Sequence, residues 1–95
     1  MNEKQIFEQK MEAKLQVLQA DIEMLTAQAR KADAKTKEHM AEKLEHMRKK
    51  RKAANSRLED LRDSSSDAWH DLKDGVQSAW SEFDKAVRDA KKQLQ

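Results

Sequence analysis

The last third of the chain repeats an apolar pattern every eleven residues. In each copy an Ala-Trp pair precedes a large apolar residue and then Val, as in Ala68-Trp69…Leu72…Val76 and Ala79-Trp80…Phe83…Val87. Eleven residues at about 100° each make three helical turns plus about 20°, so these residues stay on one helix face. The repeat therefore predicts an amphipathic helix over residues 67–94.

The first two thirds of the chain show a different period, in which apolar residues step by three and four. This heptad spacing is typical of helices that wrap around one another. Few large apolar residues occur between residues 29 and 54. The pattern predicts one long helix over residues 3–62, with a seam whose large members are Met11, Leu15, Leu18, Ile22, Leu25, Leu44, Met47, Leu58 and Leu61.

A turn is expected where the two periods meet, in the run Asp-Ser-Ser-Ser-Asp at residues 63–67. Ser and Asp are poor helix-interior residues and good helix caps, and Ser64 with Asp67 approximates a capping box. We therefore predict an all-α, elongated coiled-coil hairpin that forms a single unit over residues 1–95. Two alternatives stay open: a break near Asp33, and one continuous helix of about 140 Å.

The hairpin has a consequence for assembly. The second arm would lie antiparallel along residues 35–62, with Trp69, Leu72, Val76, Trp80, Phe83 and Val87 facing the long helix. The seam from Met11 to Leu25 would then stay uncovered. A two-helix hairpin of 95 residues buries little apolar surface, so a homo-oligomer is expected, first a dimer and then a trimer. Gly75 aligns with Ala86 in the repeat, which suggests a close helix contact at Gly75.

Positive charge is concentrated in the middle of the chain. Residues 48–62 carry 7 Lys or Arg against 2 Asp or Glu, whereas the segments before and after are slightly acidic. The run Arg48, Lys49, Lys50, Arg51 and Lys52 could contact phosphates of nucleic acid or anionic lipid. Five successive cations cover all sides of a helix, however, so the favoured interpretation is a solvated segment partly compensated by Glu45.

Two further features have functional interpretations. The pair of tryptophans suggests binding at a membrane surface, although packing inside a helical bundle is favoured. His39, Glu42 and His46 fall close to one helix face, but one helix rarely supplies all the ligands of a metal site. We predict no metal, cofactor, catalytic residue or small-molecule substrate, because no apolar pocket is expected around the many carboxylates.

The segment Asp67-Ala68-Trp69-His70-Asp71-Leu72-Lys73-Asp74-Gly75-Val76, followed by Ala79-Trp80 and Phe83, resembles a family of short bacterial coiled-coil proteins. In that family a similar segment follows a long charged helix. The resemblance implies an association with stress response and no established biochemical activity. It implies no catalytic or ligand-binding residues.

These observations together favour a non-enzymatic coiled-coil module that associates with itself. Membrane-surface binding through the tryptophans is the first alternative. Nucleic-acid binding through residues 48–52 is the second and less favoured one. A cytoplasmic location is expected, because no apolar run approaches the roughly 20 residues that cross a bilayer and no apolar signal core follows Met1.

Overall fold

The computed structural model describes residues 2–94, nearly all of which lie in three α-helices. The helices are α1 (Glu3–Arg30), α2 (Ala34–Asp63) and α3 (Trp69–Gln93). They lie side by side in a rod of 51 × 19 × 17 Å. The all-α prediction is confirmed, whereas the predicted two-helix hairpin is corrected to a three-helix bundle.

The prediction of one helix over residues 3–62 is wrong, because the chain turns between α1 and α2. The backbone N–H groups of Lys31 and Ala32 close the last turn of α1. Asp33 then caps α2, because its Oδ1 accepts a hydrogen bond from the Thr36 backbone N–H at 2.8 Å. That hydrogen bond holds the pKa of the Asp33 carboxyl below its usual value of 3.8. The alternative break near Asp33 is therefore present in addition to the break predicted at the Ser-rich run.

The second turn occupies residues 64–68, at the predicted Ser-rich run. The predicted Ser64–Asp67 capping box does not form. Instead, the Ser65 Oγ accepts a hydrogen bond from the Ala68 backbone N–H at 3.1 Å. The composition of the run thus located the turn correctly, but Ser65 closes the turn itself, and α3 begins after Ala68 without a side-chain cap.

Neighbouring helices along the chain run antiparallel. Near the start of α1, the Lys4 Nζ donates hydrogen bonds to the Arg62 and Ser64 carbonyl oxygens at the end of α2, at 3.0 and 2.6 Å. Farther along, the Arg51 Nη1 donates to the Gln19 Oε1 at 2.9 Å. The first bonds satisfy carbonyl groups that a helix end leaves unpaired. Lys4 therefore fastens the start of α1 to the end of α2.

The first and third helices run parallel to each other. The rings of Phe7 and Trp69 lie 5.9 Å apart near the start of both helices. Toward their ends, the Lys91 Nζ lies 3.2 Å from the Asp21 Oδ2. The bundle therefore has an up-down-up arrangement in which α1 packs against both other helices.

One apolar core runs through the bundle, and no polar or charged residue among residues 2–94 is buried in it. The expectation that the seam from Met11 to Leu25 stays uncovered is wrong, because α2 and α3 of the same chain bury it. The third helix thus buries the apolar seam that, in the predicted hairpin, a second copy of the chain would have to cover. The buried residues are Phe7, Met11, Leu15, Leu18, Ile22, Leu25, Ala29, Met40, Leu44, Met47, Ala54, Leu58, Leu61, Trp69, Val76, Ala79, Phe83, Ala86, Val87 and Ala90.

Gly75 is not a close-contact site. A Cβ built on it meets no atom within 4 Å, so the space beside this residue is open. Its alignment with Ala86, which is buried, was therefore misleading. The two copies of the repeat have different surroundings along α3.

Candidate functional site

The side of α1 that faces away from the bundle carries a second apolar stripe. From Ala13 onward its members follow the alternating four-three spacing of a heptad seam. Ile6 is 45% exposed, Val17 63% and Met24 48%, and these are the large apolar residues that are exposed within residues 2–94. We call this set the outer stripe, and its exposed members are Ile6, Ala13, Val17, Ala20, Met24 and Ala27.

The outer stripe lies nearly opposite the part of α1 that enters the core. At about 100° per residue, its centre is roughly 150° away from the centre of the buried seam of Met11, Leu15, Leu18, Ile22 and Leu25. We call that seam the inner stripe. Since α2 and α3 both pack on the inner side, the outer stripe stays exposed, with Ala27 at the edge of the groove between α1 and α2. An apolar surface of this kind marks a site of interaction more often than an isolated exposed residue does.

Charged residues define both ends and one edge of the outer stripe. Lys10 and Lys31 continue its three-four spacing toward the two ends of α1. On the edge toward α3, the Lys14 Nζ lies 4.5 Å from the centre of the Trp80 ring, and Asp21 pairs with Lys91. This edge therefore presents one cation and one anion, seven residues or about two helical turns apart.

The opposite edge of the outer stripe, toward α2, is mainly polar. Gln9, Gln16, Glu23 and Arg30 follow one another at intervals of seven residues. Gln16 and Glu23 line grooves between α1 and α2. The two charges on this edge, one of each sign, both lie in the second half of α1.

The tryptophans point into the bundle and not away from it. Trp69 is 5% exposed and contacts Phe7 of α1, while Trp80 is partly buried beneath the ammonium group of Lys14. The Trp80 Nε1 is fully buried and has no hydrogen-bond partner within the described chain. The edge of α3 that motivated the membrane interpretation is therefore covered by α1.

The other predicted packing residues are also brought together within one chain. Leu72 packs against the core while partly exposed. The predicted residues Leu44, Met47, Leu58, Leu61, Val76, Phe83 and Val87 are buried. The predicted packing set thus lies inside the bundle, whereas the outer stripe is a second seam on α1 that the sequence prediction did not include. Applying the same three-four spacing to the remaining residues of α1 finds it.

The five residues of the basic run point in different directions, as expected for consecutive helical positions. Lys50 faces α3, where its Nζ lies 3.6 Å from the Glu82 Oε2. Lys49 and Lys52 are exposed on the outer side of α2. Arg48 and Arg51 turn toward α1 and line one groove with Arg30. Arg48, Lys49, Arg51 and Lys52 also line one open depression along α2, so Lys50 is separated from the other four.

The groove that holds the three arginines is a shallow depression of about 330 Å³ between α1 and α2. Glu23 and Thr26 also line it. Neither Arg30 nor Arg48 forms an ion pair with any residue in the part of the chain that the structure describes. Three arginines and one glutamate thus line the same depression.

Residues 2–94 contain no group of three His, Cys, Asp or Glu side chains arranged to hold a metal ion. His39, Glu42 and His46 are all exposed on α2. None of the described helices combines the length and the apolar character needed to cross a membrane.

The geometry defines a small helical bundle with one exposed apolar helix face. No family model matches the chain, and comparison with curated proteins and with solved structures finds no significant match. The resemblance to short bacterial coiled-coil proteins stays a prediction.

Proposed function

We propose that this protein is a non-catalytic module that associates with further copies of itself through the outer stripe of α1. The observation that carries the proposal is the heptad spacing of an exposed apolar stripe on a helix whose other side is already buried. Heptad spacing is the pattern by which helices pack against helices, so the stripe is suited to a helical partner. A second copy supplies such a helix without any further component.

The size of the stripe sets the strength of the association. Fully burying a Val, Ile or Met side chain contributes about 1.5–3 kcal/mol, and the three large residues are only about half exposed. Two copies therefore gain on the order of 6 kcal/mol from these side chains, plus a smaller term from the alanines. Association costs at least about 4 kcal/mol in lost translational and rotational freedom. With about 2–3 kcal/mol from the alanines, the net gain is at most about 4–5 kcal/mol, so we expect a weak dimer with a dissociation constant between about 0.1 and 1 mM.

Light scattering and sedimentation across protein concentration test this proposal. The mass should rise from 11.1 kDa toward twice that value as the concentration increases through the range expected above. The substitution Val17→Glu places a charge in the middle of the outer stripe and should keep the chain monomeric and helical. Gln77→Glu adds the same charge at an exposed position of α3 and should leave the dimer intact. A wild-type chain that is still monomeric at about 1 mM contradicts the proposal.

A second candidate function is the binding of phosphate-bearing polyanions in the groove between α1 and α2. The observation that favours it is the convergence of Arg30, Arg48 and Arg51 on one depression. Arginine guanidinium groups suit phosphate oxygens because they donate paired hydrogen bonds in a planar arrangement. A single-stranded nucleic-acid backbone presents such oxygens in a row.

The anisotropy of a labelled single-stranded oligonucleotide tests this second function. Replacing the three groove arginines by Gln should weaken binding strongly. Replacing Arg57, Lys85 and Lys92 by Gln removes the same charge elsewhere and should weaken it less. Binding should also fall steeply between about 50 and 200 mM salt. Equal losses in the two triple variants, or no binding by the wild-type chain, contradict a site in the groove.

A further inference from the structure

We infer that the two copies pair through antiparallel α1 helices, in one register that places Val17 against the partner's Ala20. The inference rests on the proposed self-association and specifies its geometry. The two lysines at the ends of the outer stripe determine the orientation of the helices. The charges along its edges determine the register.

The orientation follows from Lys10 and Lys31, which lie on the line of the outer stripe. In a parallel pair equivalent residues meet, so each of these lysines would face the same lysine of the partner inside the seam. Like charges brought together in this way oppose association. In an antiparallel pair the two ends of α1 meet instead. Lys10 then faces the partner's Ala27, and Lys31 faces the partner's Ile6.

The sizes of the side chains are compatible with this register. When Val17 faces the partner's Ala20, Met24 faces the partner's Ala13. Each of these layers then combines one large residue with one alanine. Small residues let two helices approach closely, and the alternation of large and small side chains fills the seam without gaps. A shift of one heptad also pairs large residues with alanines, for example Val17 with the partner's Ala27, so the side-chain sizes favour antiparallel packing and the edge charges must select the register.

The charges at the edges select the same register. Antiparallel coiled-coil helices place like edges together, so the edge toward α3 meets the same edge of the partner. In the proposed register Lys14 lies beside the partner's Asp21, and the reverse pair forms by symmetry. On the other edge Glu23 meets the partner's Gln16, and Arg30 meets the partner's Gln9. No like charges meet along either edge.

Shifting the register by one heptad loses this complementarity. A shift of seven residues in one direction brings Lys14 against the partner's Lys14. A shift in the other direction brings Asp21 against Asp21 and Glu23 against Glu23 of the two copies. Each shifted arrangement therefore contains like-charge contacts that the proposed register avoids. Lys14 and Asp21 also keep their contacts with Trp80 and Lys91, so the intermolecular pair extends contacts already present in each bundle.

Disulfide crosslinking tests orientation and register together, because the chain has no cysteine of its own. The single variants are Lys10→Cys, Ala20→Cys and Ala27→Cys. A disulfide forms only when the two Cα atoms lie within about 7 Å, so mixing Lys10→Cys with Ala27→Cys should give at least about tenfold more crosslinked dimer than either variant alone. Ala20 lies seven residues or roughly 10 Å from Ala27 along the helix. Mixing Lys10→Cys with Ala20→Cys should therefore stay at the low background.

The outcomes separate this inference from the proposal on which it rests. Light scattering of each variant before oxidation shows whether it associates. If the variants and the wild-type chain are monomeric, self-association itself is contradicted. If they associate and Lys10→Cys alone crosslinks efficiently, the helices are parallel and only the orientation is contradicted. If Lys10→Cys reacts equally well with Ala20→Cys and Ala27→Cys, the single register is contradicted.

Discussion

The two faces of α1 carry apolar stripes of the same periodicity but different composition. The inner stripe uses Met, Leu and Ile at every position, and all five members are buried. The outer stripe alternates alanine with larger residues and remains exposed. Periodicity therefore predicts that a helix face packs, whereas the size of its side chains indicates how strongly. The inner stripe has more apolar volume and packs in the core, whereas the outer stripe has less and remains available to a partner.

The largest difference between the two faces should appear when one side chain on each is shortened. Leu25 is 1% exposed, so Leu25→Ala leaves a cavity and should lower the free energy of unfolding by about 2–5 kcal/mol. Val17→Ala removes a mostly exposed side chain and should change it by no more than about 0.5 kcal/mol. Urea unfolding of both variants at low protein concentration makes the comparison. Similar losses in the two variants would show that the two stripes do not differ as described.

Enlarging an alanine of the outer stripe tests whether this stripe packs closely against a partner helix or associates nonspecifically. Ala20→Leu adds apolar area, which would strengthen nonspecific association. In a closely packed seam the larger side chain is strained, at a cost of about 1–3 kcal/mol. We therefore expect the dissociation constant of the dimer to rise by roughly tenfold or more, measured by sedimentation equilibrium. Tighter association of this variant would count against the large-to-small packing.

A change outside both stripes should alter stability without altering association. Gly75 lies inside α3, has ordinary helical backbone angles and has open space beside its Cα. Gly75→Ala should raise the free energy of unfolding by about 0.5–1 kcal/mol, because alanine loses less conformational freedom in a helix. The dimer dissociation constant should stay unchanged. Loss of stability would indicate a contact at this position that the structure does not contain.

The smallest expected effect concerns the turn that separates α1 from α2. The pKa of Asp33 is lowered by its hydrogen bond to Thr36, so the ionised cap stabilises the fold at neutral pH. This contribution should diminish as the pH falls from above the ordinary value of 3.8 through the lower native pKa. Asp33→Ala should therefore be less stable than the wild-type chain at pH 7, with the difference narrowing in acid. Thermal unfolding across pH measures this, and a difference that widens in acid would contradict it.

Much of the core was predictable from the sequence, because heptad and eleven-residue periods both identify buried faces. The break before Asp33 has a weaker sequence signal than the break at the Ser-rich run. It contains neither Gly nor Pro, and its one signal is an Asp three residues before Thr36, which is much weaker than the Ser-rich run. Without this break the fold has two helices and not three. A two-helix fold leaves the inner stripe uncovered, and a second copy is then needed to bury it.

The candidate surface also shows where periodicity stops being informative. The residues of α1 contain two interleaved seams, and nothing in the spacing alone states which one packs within the chain. Counting large side chains on each face would have assigned Met11, Leu15 and Leu18 to the core. The position of Gly75 could not be interpreted in the same way, because the repeat copies have different neighbours that only the three-helix arrangement defines.

The central claim is that one chain closes over its own inner stripe, so that this stripe needs no second copy. Urea unfolding of Val17→Glu at about 1 μM and at about 500 μM protein tests it directly, because a fold that needs a second copy becomes more stable as protein concentration rises. We predict a helical monomer with the same unfolding midpoint at both concentrations. A midpoint that moves to higher urea at the higher concentration would show that the inner stripe is buried between chains.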